Sequence, residues 1–270
     1  MFGREIELKT PAQVDAMRVA GLVVADMLAT VREAVAPGVT TGDLDEVARE
    51  VLTRHGATSN FLNYGAHGSA GEGGFAGVIC TSVNDEVVHG VPGSRRLVDG
   101  DIISVDAGAI VDGWHGDAAM TVGVGQVDPA DTALSRVTEH ALWAGIAAAR
   151  AGARLGDIGH AIESSISAAG DYGIVDEFTG HGIGTAMHMD PDVPNVGRPG
   201  RGMRLKVGLV IAIEPMVTRG SARTRVLADD WTMVTTDGSR AAHWEHTVAI
   251  TEDGPRVLTS PDEGATRLGR

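Results

Sequence analysis

Cysteine is nearly missing from the chain: Cys80 is the only one in 270 residues. A lone thiol excludes an internal disulfide and any zinc site built on several cysteines, and it fits a reducing cytosol. Long apolar runs are missing too. The longest, Leu209 to Ile213, falls far short of the roughly 20 residues that cross a bilayer. The opening MFGREIELK mixes charges where a secretion signal needs an apolar centre. Positive charge is scarce, with 22 Lys and Arg against 36 Asp and Glu and a net charge of −14. Nucleic-acid binding draws on clustered Lys and Arg, so this balance points to solubility instead. A soluble, cytoplasmic globular protein is expected, with no membrane and no specific nucleic acid among its partners. The length allows one large domain or two small ones.

What is present falls into an order that repeats. Thr10-Pro11-Ala12-Gln13 reads as a capping box with proline at the first helical position. It predicts a helix through VDAMRVAGLVVADMLATVREAVA that stops at Pro37-Gly38. A second helix is expected near Asp43 to His55, closed by Gly56. Gly38, Gly42, Asp43 and Gly56 return as Gly152, Gly156, Asp157 and Gly170, each displaced by 114 residues. An alanine-rich helical stretch precedes each set. The repeat predicts two related halves, each with two helices followed by strands, forming one curved sheet with four helices outside and a cleft between the halves. In the second half, Leu209 to Glu214 and Trp244 to Ile250 read as strands, with a turn at Asp237-Gly238. GAHGSAGEGGFAG, residues 65 to 77, is too glycine-rich for a core element and reads as a flexible connector or a substrate lid. The tail after Thr259 is polar and expected to fray.

The chemistry starts at DAGAIVDGWHGDAA, residues 106 to 119. Asp112-Gly113 is a two-residue hairpin signal, because a type I′ turn needs positive φ at both positions. Pairing Val111 with Trp114 sets Asp117 across from Gly108, so Asp106, Gly108 and Asp117 share a face. The two carboxylates become diagonal neighbours about 7 Å apart, and they repel unless something positive lies between them. Glu214 ends the run LVIAI, and Glu245 precedes HTVAI. Acids in such strands are buried at high cost unless paired, and the strands offer no Lys or Arg. Four of them point to bound cations. Gly180-His181-Gly182-Ile183-Gly184 brings an imidazole as a candidate fifth ligand. This oxygen-rich set suits manganese, iron(II) or cobalt, and four negative charges balance two divalent ions. Two ions about 3.5–4 Å apart can generate a nucleophile and stabilise the oxyanion it creates. His115 shares the hairpin face and is expected beside the site, not as a ligand. His246 should point to the opposite face from Glu245. His243 shares the face of Glu245 only if the strand already runs straight there, and both histidines are read as structural.

These residues sit in motifs with a wider resemblance. VNDEVVHGVP around His89, GDIISVDAGAIVDGWHGDAAMT, GHGIG, MHMDP around His188, IAIEPM and WEHTVAI follow one another as in type I methionine aminopeptidases, which the chain resembles along nearly its whole length. The resemblance implies an α+β pita-bread fold. Its single catalytic domain, residues 1–270, would have pseudo-two-fold halves of roughly 10–124 and 125–260, with a curved antiparallel sheet and helices on its outer face. The interval between His181 and Glu214 has no room for the insertion of type II enzymes, and no amino-terminal extension precedes the motifs, as in the short bacterial form. The implied activity is removal of the initiator methionine from nascent proteins, preferentially when the second residue is small. Attack on the scissile carbonyl would come from a metal-bridging hydroxide.

The implied roles fall on particular residues. Asp106 would hold one metal and Asp117 would bridge both; His181 and Glu214 would complete the other metal, with Glu245 bridging again. Glu214 would also act as general base. His188 would donate a hydrogen bond to the scissile carbonyl, and His89 would approach the scissile amide and help the leaving amine. Phe75, Cys80, Met187 and Trp231 would line the methionine pocket. Met187 stands where the family more often has an aromatic residue. The family's Tyr-His-Gly-aromatic-Pro segment is replaced by Glu72-Gly73-Gly74-Phe75-Ala76, without the histidine or the proline, which predicts a looser and more mobile lip. A monomer with transient ribosome association is implied. The rival readings are a proline-specific pita-bread peptidase, which generally carries a large amino-terminal domain, and a non-catalytic binding module, which usually loses metal ligands.

Overall fold

The computed structural model describes residues 6–66 and 73–269. At the start of the first helix, the Thr10 side chain accepts from the Gln13 N–H while the Gln13 side chain accepts from the Thr10 N–H. This capping box opens α1 (Pro11–Ala34). A second box, Thr40 with Asp43, opens α2 (Thr41–His55), which ends at Gly56 in the left-handed conformation. The arrangement returns in α3 (Pro129–Ala148) and α4 (Leu155–Ala169), where Asp157 accepts from the Arg154 N–H. α2 and α4 are both 15 residues long, and their starts at Thr41 and Leu155 keep the displacement seen in the glycines. A short α5 (Ala265–Leu268) closes the chain. Among the described residues, no helix is long and apolar enough to cross a membrane.

Among the described residues, fifteen strands fill the intervals. The first half supplies β1 (Thr58–Ser59), β2 (Ile79–Val83), β3 (Glu86–Val88), β4 (Ile102–Val111) and β5 (Trp114–Gly123). After α4 come β6 (Gly173–Ile174), β7 (Gly180–Gly182), β8 (Met189–Val193), β9 (Val210–Ile213) and β10 (Met216–Thr218). The last are β11 (Thr224–Val226), β12 (Met233–Thr235), β13 (Ala241–His243), β14 (His246–Thr251) and β15 (Gly254–Val257). They pair antiparallel throughout.

Among the described residues, the expected single curved sheet is divided into four antiparallel sheets. Backbone chemistry explains one division. Pro215 separates β9 from β10 and has no N–H to give a ladder. The register nevertheless continues across it: Ile213 pairs with His246 on one side, Met216 with His243 on the other, and the Trp244 N–H donates to the Pro215 carbonyl at 3.4 Å. Glu214 and Glu245 therefore face each other. The other edge of the 243–247 segment is stitched to β5. Ala119 and Glu245 exchange two backbone hydrogen bonds of 3.0 and 3.3 Å, Thr121 Oγ1 accepts from the His243 N–H at 2.9 Å, and the Asp117 N–H donates to Thr247 Oγ1 at 3.0 Å.

Alternation along these strands decides what faces where. Ile103, Val105, Ala107 and Ala109 of β4, with Ala118, Met120 and Val122 of β5, pack in one cluster with Val24, Met27 and Val31 of α1 and Leu44, Ala48 and Val51 of α2. Each larger side chain fully buried there contributes about 1.5–3 kcal/mol. The residues between them, including Asp106, Gly108 and Asp117, must face the other way. In the second half, Ile211, Ile213, Val248 and Ile250 turn toward Leu142 and Ile146 of α3 and Ile158 and Ile162 of α4. That leaves Glu214 and Glu245 on the inner face. The tail expected to fray is instead held: Arg18 of α1 donates to the carbonyls of Leu258, Ser260 and Pro261 at 2.6, 2.6 and 2.9 Å.

Candidate metal centre and adjoining pocket

The hairpin forms in the expected register. Asp112 and Gly113 have φ of 49° and 80°, Val111 pairs with Trp114, and Gly108 with Asp117. Asp106 lies between Cys80 of β2 and Ala119 of β5, and Ala119 is joined in turn to Glu245. A row Cys80, Asp106, Ala119, Glu245 thus crosses the inner face, with Asp117 in the next row. Only the small Ala119 and Gly108 separate the acids. Thr247 fixes the height of Asp117, since its hydroxyl also donates to the Asp117 carbonyl at 2.8 Å.

His181 is carried by β7. Its Nδ1 lies 3.0 Å from the Gly182 carbonyl, and an N–H there leaves Nε2 with a free lone pair, 3.6 Å from Glu214 Oε1. The His188 ring stands edge-on to His181, centroids 4.4 Å apart, and its Nδ1 is 2.6 Å from the Tyr64 hydroxyl. His89 follows β3 with left-handed backbone, φ 60°, and its ring meets Phe178 edge-on at 5.4 Å.

The acids differ from the buried acids elsewhere. Asp45 accepts from Arg49 and from the Val78 and Ile79 N–H groups, Asp101 from Asn84 and the Val98 N–H, and Asp131 from Arg219. At the inner face no Lys or Arg reaches Asp106, Asp117, Glu214 or Glu245 among the described residues. Asp106 Oδ1, Asp117 Oδ1 and Glu245 Oε1 are buried without a hydrogen-bond partner among those residues. Burial pushes Asp106 up to about 7 and Glu214 up to about 8. Burial first, then the charges of the neighbouring acids, raises Asp117 and Glu245 well above the usual carboxylate range. Burial lowers His181 to about 3 and His89 to about 4, so both imidazoles are neutral near pH 7. Orphaned carboxylate oxygens around neutral imidazole nitrogens are what a divalent cation requires of its ligands. Asp117, His181 and Glu245 bring ligand atoms within 4.8 Å of one another, and so do Glu214, His243 and Glu245.

One wall of the site is apolar. Phe75, Cys80, Met187 and Phe61 form a buried cluster with Trp231 against it, Phe75 meeting Trp231 edge-on at 5.4 Å. A cavity of about 120 Å³ runs from this wall to the acids and is lined by all eleven residues singled out from the sequence, together with Phe61 and Tyr64. The two additions carry no local motif, and only the tertiary packing identifies them. Burial raises the Cys80 thiol well above its ordinary value, so it packs here as a neutral apolar group.

Two expectations change. His243, read as structural, lies at the site with Nε2 3.5 Å from Glu214 Oε2. His243 and Glu245 share a face because β5 holds the backbone of both, His243 through Thr121 and Glu245 through Ala119; the two-residue spacing to Glu245 was the available signal. The lip expected to be loose is packed at Phe75. Phe75 is 2% exposed, and its backbone exchanges hydrogen bonds with Asn63 and Tyr64 at 2.8 and 3.0 Å. Residues 67–72 of that segment lie outside the described residues. His246 points away as expected, its ring against Trp143 of α3 at 5.3 Å and Nδ1 2.8 Å from Thr259 Oγ1. His115 stays outside the cavity lining.

The profile of metallopeptidase family M24 matches residues 15–252. Methionine aminopeptidase 1 of Mycobacterium tuberculosis is 52% identical, with 95% of this chain and 96% of that protein covered. Methionine aminopeptidase 1 of Bacillus subtilis is 46% identical, with 93% and 98% covered. The crystal structure of methionine aminopeptidase from Rickettsia prowazekii superposes with a TM-score of 0.90 at 38% identity, covering 95% of this chain and all of that one. Prolidase from Pyrococcus furiosus shares the fold alone, with a TM-score of 0.73 at 20% identity, and this chain covers only 65% of it. The pita-bread architecture of antiparallel strands with helices outside agrees with these relatives. The chain belongs to metallopeptidase family M24, among its methionine aminopeptidases.

Proposed function

We propose that the protein removes the initiator methionine from nascent chains and peptides, preferentially when the second residue is small. The observation that carries this reading is the meeting of four inner-face acids, three of them with an orphaned oxygen, with an apolar, sulfur-tolerant cavity sized for one side chain. Asp106, Asp117, His181, Glu214 and Glu245 would hold two divalent ions, manganese, iron(II) or cobalt. When bound, such ions polarise a carbonyl and supply a nucleophile at neutral pH. The remaining work belongs to side chains. Phe61, Phe75, Cys80, Met187 and Trp231 enclose the methionine side chain and exclude water. Glu214, ionised when the cations are bound, would accept the proton of the attacking water and pass it on. With the Tyr64 hydroxyl donating to Nδ1 of His188, Nε2 carries the proton and donates to the carbonyl oxygen as charge develops. His89, neutral and held in strained backbone at the cavity, meets the scissile amide and assists the leaving amine.

On this reading a single catalytic domain is built from related halves, roughly 10–124 and 125–260, with the site on the face between them. The matching lengths of α2 and α4, each with an aspartate (Asp43, Asp157) accepting from the N-cap N–H, support it. The protein would act in the cytoplasm as a monomer, with transient ribosome association and no stable partner. The test is methionine release from Met-Ala-Ser by metal-stripped protein titrated with Mn²⁺ or Co²⁺, with Asp106→Ala as control and an Ala-Pro peptide in parallel. Metal-dependent release from Met-Ala-Ser, lost in Asp106→Ala, is expected. Cleavage of the Ala-Pro peptide instead would assign the site to proline-specific chemistry.

A further inference from the structure

We infer that His243 is a metal ligand, so that six side chains hold the ions and each ion has an imidazole. The inference rests on the dinuclear reading above and extends it. His243 is 2% exposed, and its Nε2 has no hydrogen-bond partner among the described residues. A buried nitrogen in that state needs a function or a partner. Its surroundings are ligands. The backbone continues in extended form to Glu245, so both side chains stand on the inner face, and the register across Pro215 makes His243 the diagonal neighbour of Glu214.

Glu214 lies between two imidazoles, with His181 Nε2 3.6 Å from Oε1 and His243 Nε2 3.5 Å from Oε2. Both separations exceed the 2.7–3.2 Å of a good N–H···O bond. The separation between His243 and Glu214 is instead one that an ion shared by the two atoms would span. The donor atoms divide into two triads that share Glu245: Asp117 and His181 in one, Glu214 and His243 in the other. The backbone holds His243 in place for this, its N–H shared between Thr121 Oγ1 at 2.9 Å and Ser104 Oγ at 3.3 Å. A second nitrogen makes the site less purely oxygen-based and favours cobalt and iron(II) over manganese.

Proton NMR of the cobalt-loaded full chain counts the ligated imidazoles directly. An imidazole bound through Nε2 shows one strongly shifted Nδ1–H resonance that exchanges in D₂O. Two such resonances are expected, one lost in His181→Ala and the other in His243→Gln. The glutamine keeps an N–H donor near Glu214 but no imidazole. Calorimetric titration with Co²⁺ should show one of the two ions held at least tenfold more weakly in His243→Gln, and melting of the metal-free variant reports whether its fold is intact. A single exchangeable resonance that survives in His243→Gln would overturn the assignment while leaving the metal pair standing. No shifted resonance under excess Co²⁺ would remove the dinuclear reading itself, and this inference with it.

Discussion

At the scale of single residues, the site works by withholding partners. Acids that only stabilise the fold, such as Asp45 and Asp131, are met by arginine, whereas among the described residues no Lys or Arg meets those of the inner face, which lie against one another and imidazoles. Glu214→Gln keeps the shape of the side chain but cannot accept the proton, and kcat for Met-Ala-Ser should fall by roughly 10²–10⁴-fold. Steady-state kinetics at saturating metal would show it; an unchanged kcat would move the base elsewhere. Tyr64→Phe removes one hydrogen bond that orients His188. A loss of about 1 kcal/mol, or roughly fivefold in kcat with KM little altered, is expected. A change confined to KM would make Tyr64 a pocket wall alone.

At the scale of elements, the β4–β5 hairpin and α1 set the floor of the site. Gly116 lies where α1 crosses the hairpin, and a Cβ there would stand 2.9 Å from the Gly21 N and 3.1 Å from its Cα. Neither backbone can yield without parting helix from hairpin, so Gly116→Ala should cost about 1–3 kcal/mol in urea unfolding. Gly113, at the hairpin tip with φ 80°, has open space around its missing Cβ. Gly113→Ala should lose only the left-handed preference, about 1–2 kcal/mol, and leave metal affinity intact. Equal loss of metal binding in both variants would show that the hairpin moves as one rigid body.

At the scale of the whole molecule, stability is linked to the ions and to pH. Stripping metal with a chelator should lower Tm by roughly 5–10 °C relative to protein at a hundredfold excess of ion over its dissociation constant. Identical melting curves would count against a buried metal pair. The sign of the pH effect follows from the protonation states. Asp106 and Glu214 hold their protons up to about 7 and 8 in the fold, against about 4 in the unfolded chain, so their contribution is lost as pH rises through that window. The buried imidazoles His89 and His181 have lowered affinities of about 4 and 3, and their contribution is lost as pH falls from about 6.5. Above about pH 7.5 the unfolded chain's imidazoles, ordinarily near 6.5, have released their protons and the carboxylate contribution dominates. Tm of the metal-free protein should therefore fall between about pH 7.5 and 8.5, and saturating Mn²⁺ should remove the slope.

Much of this was legible in the chain alone. The caps at Thr10 and Thr40, the Asp112-Gly113 turn and the two-residue alternation act over a few neighbouring residues, so the sequence determined the helices, the hairpin register and the shared face of Asp106 and Asp117. It also marked Glu214 and Glu245 as acids in apolar strands. What it could not hold were relations between strands distant in sequence. The seam from Ala119 to Glu245 and the register across Pro215 decide that all four acids converge, that His243 joins them, and that Tyr64 reaches His188. Those are long-range pairings, chosen by packing two helix-covered cores against each other, and no local propensity encodes them.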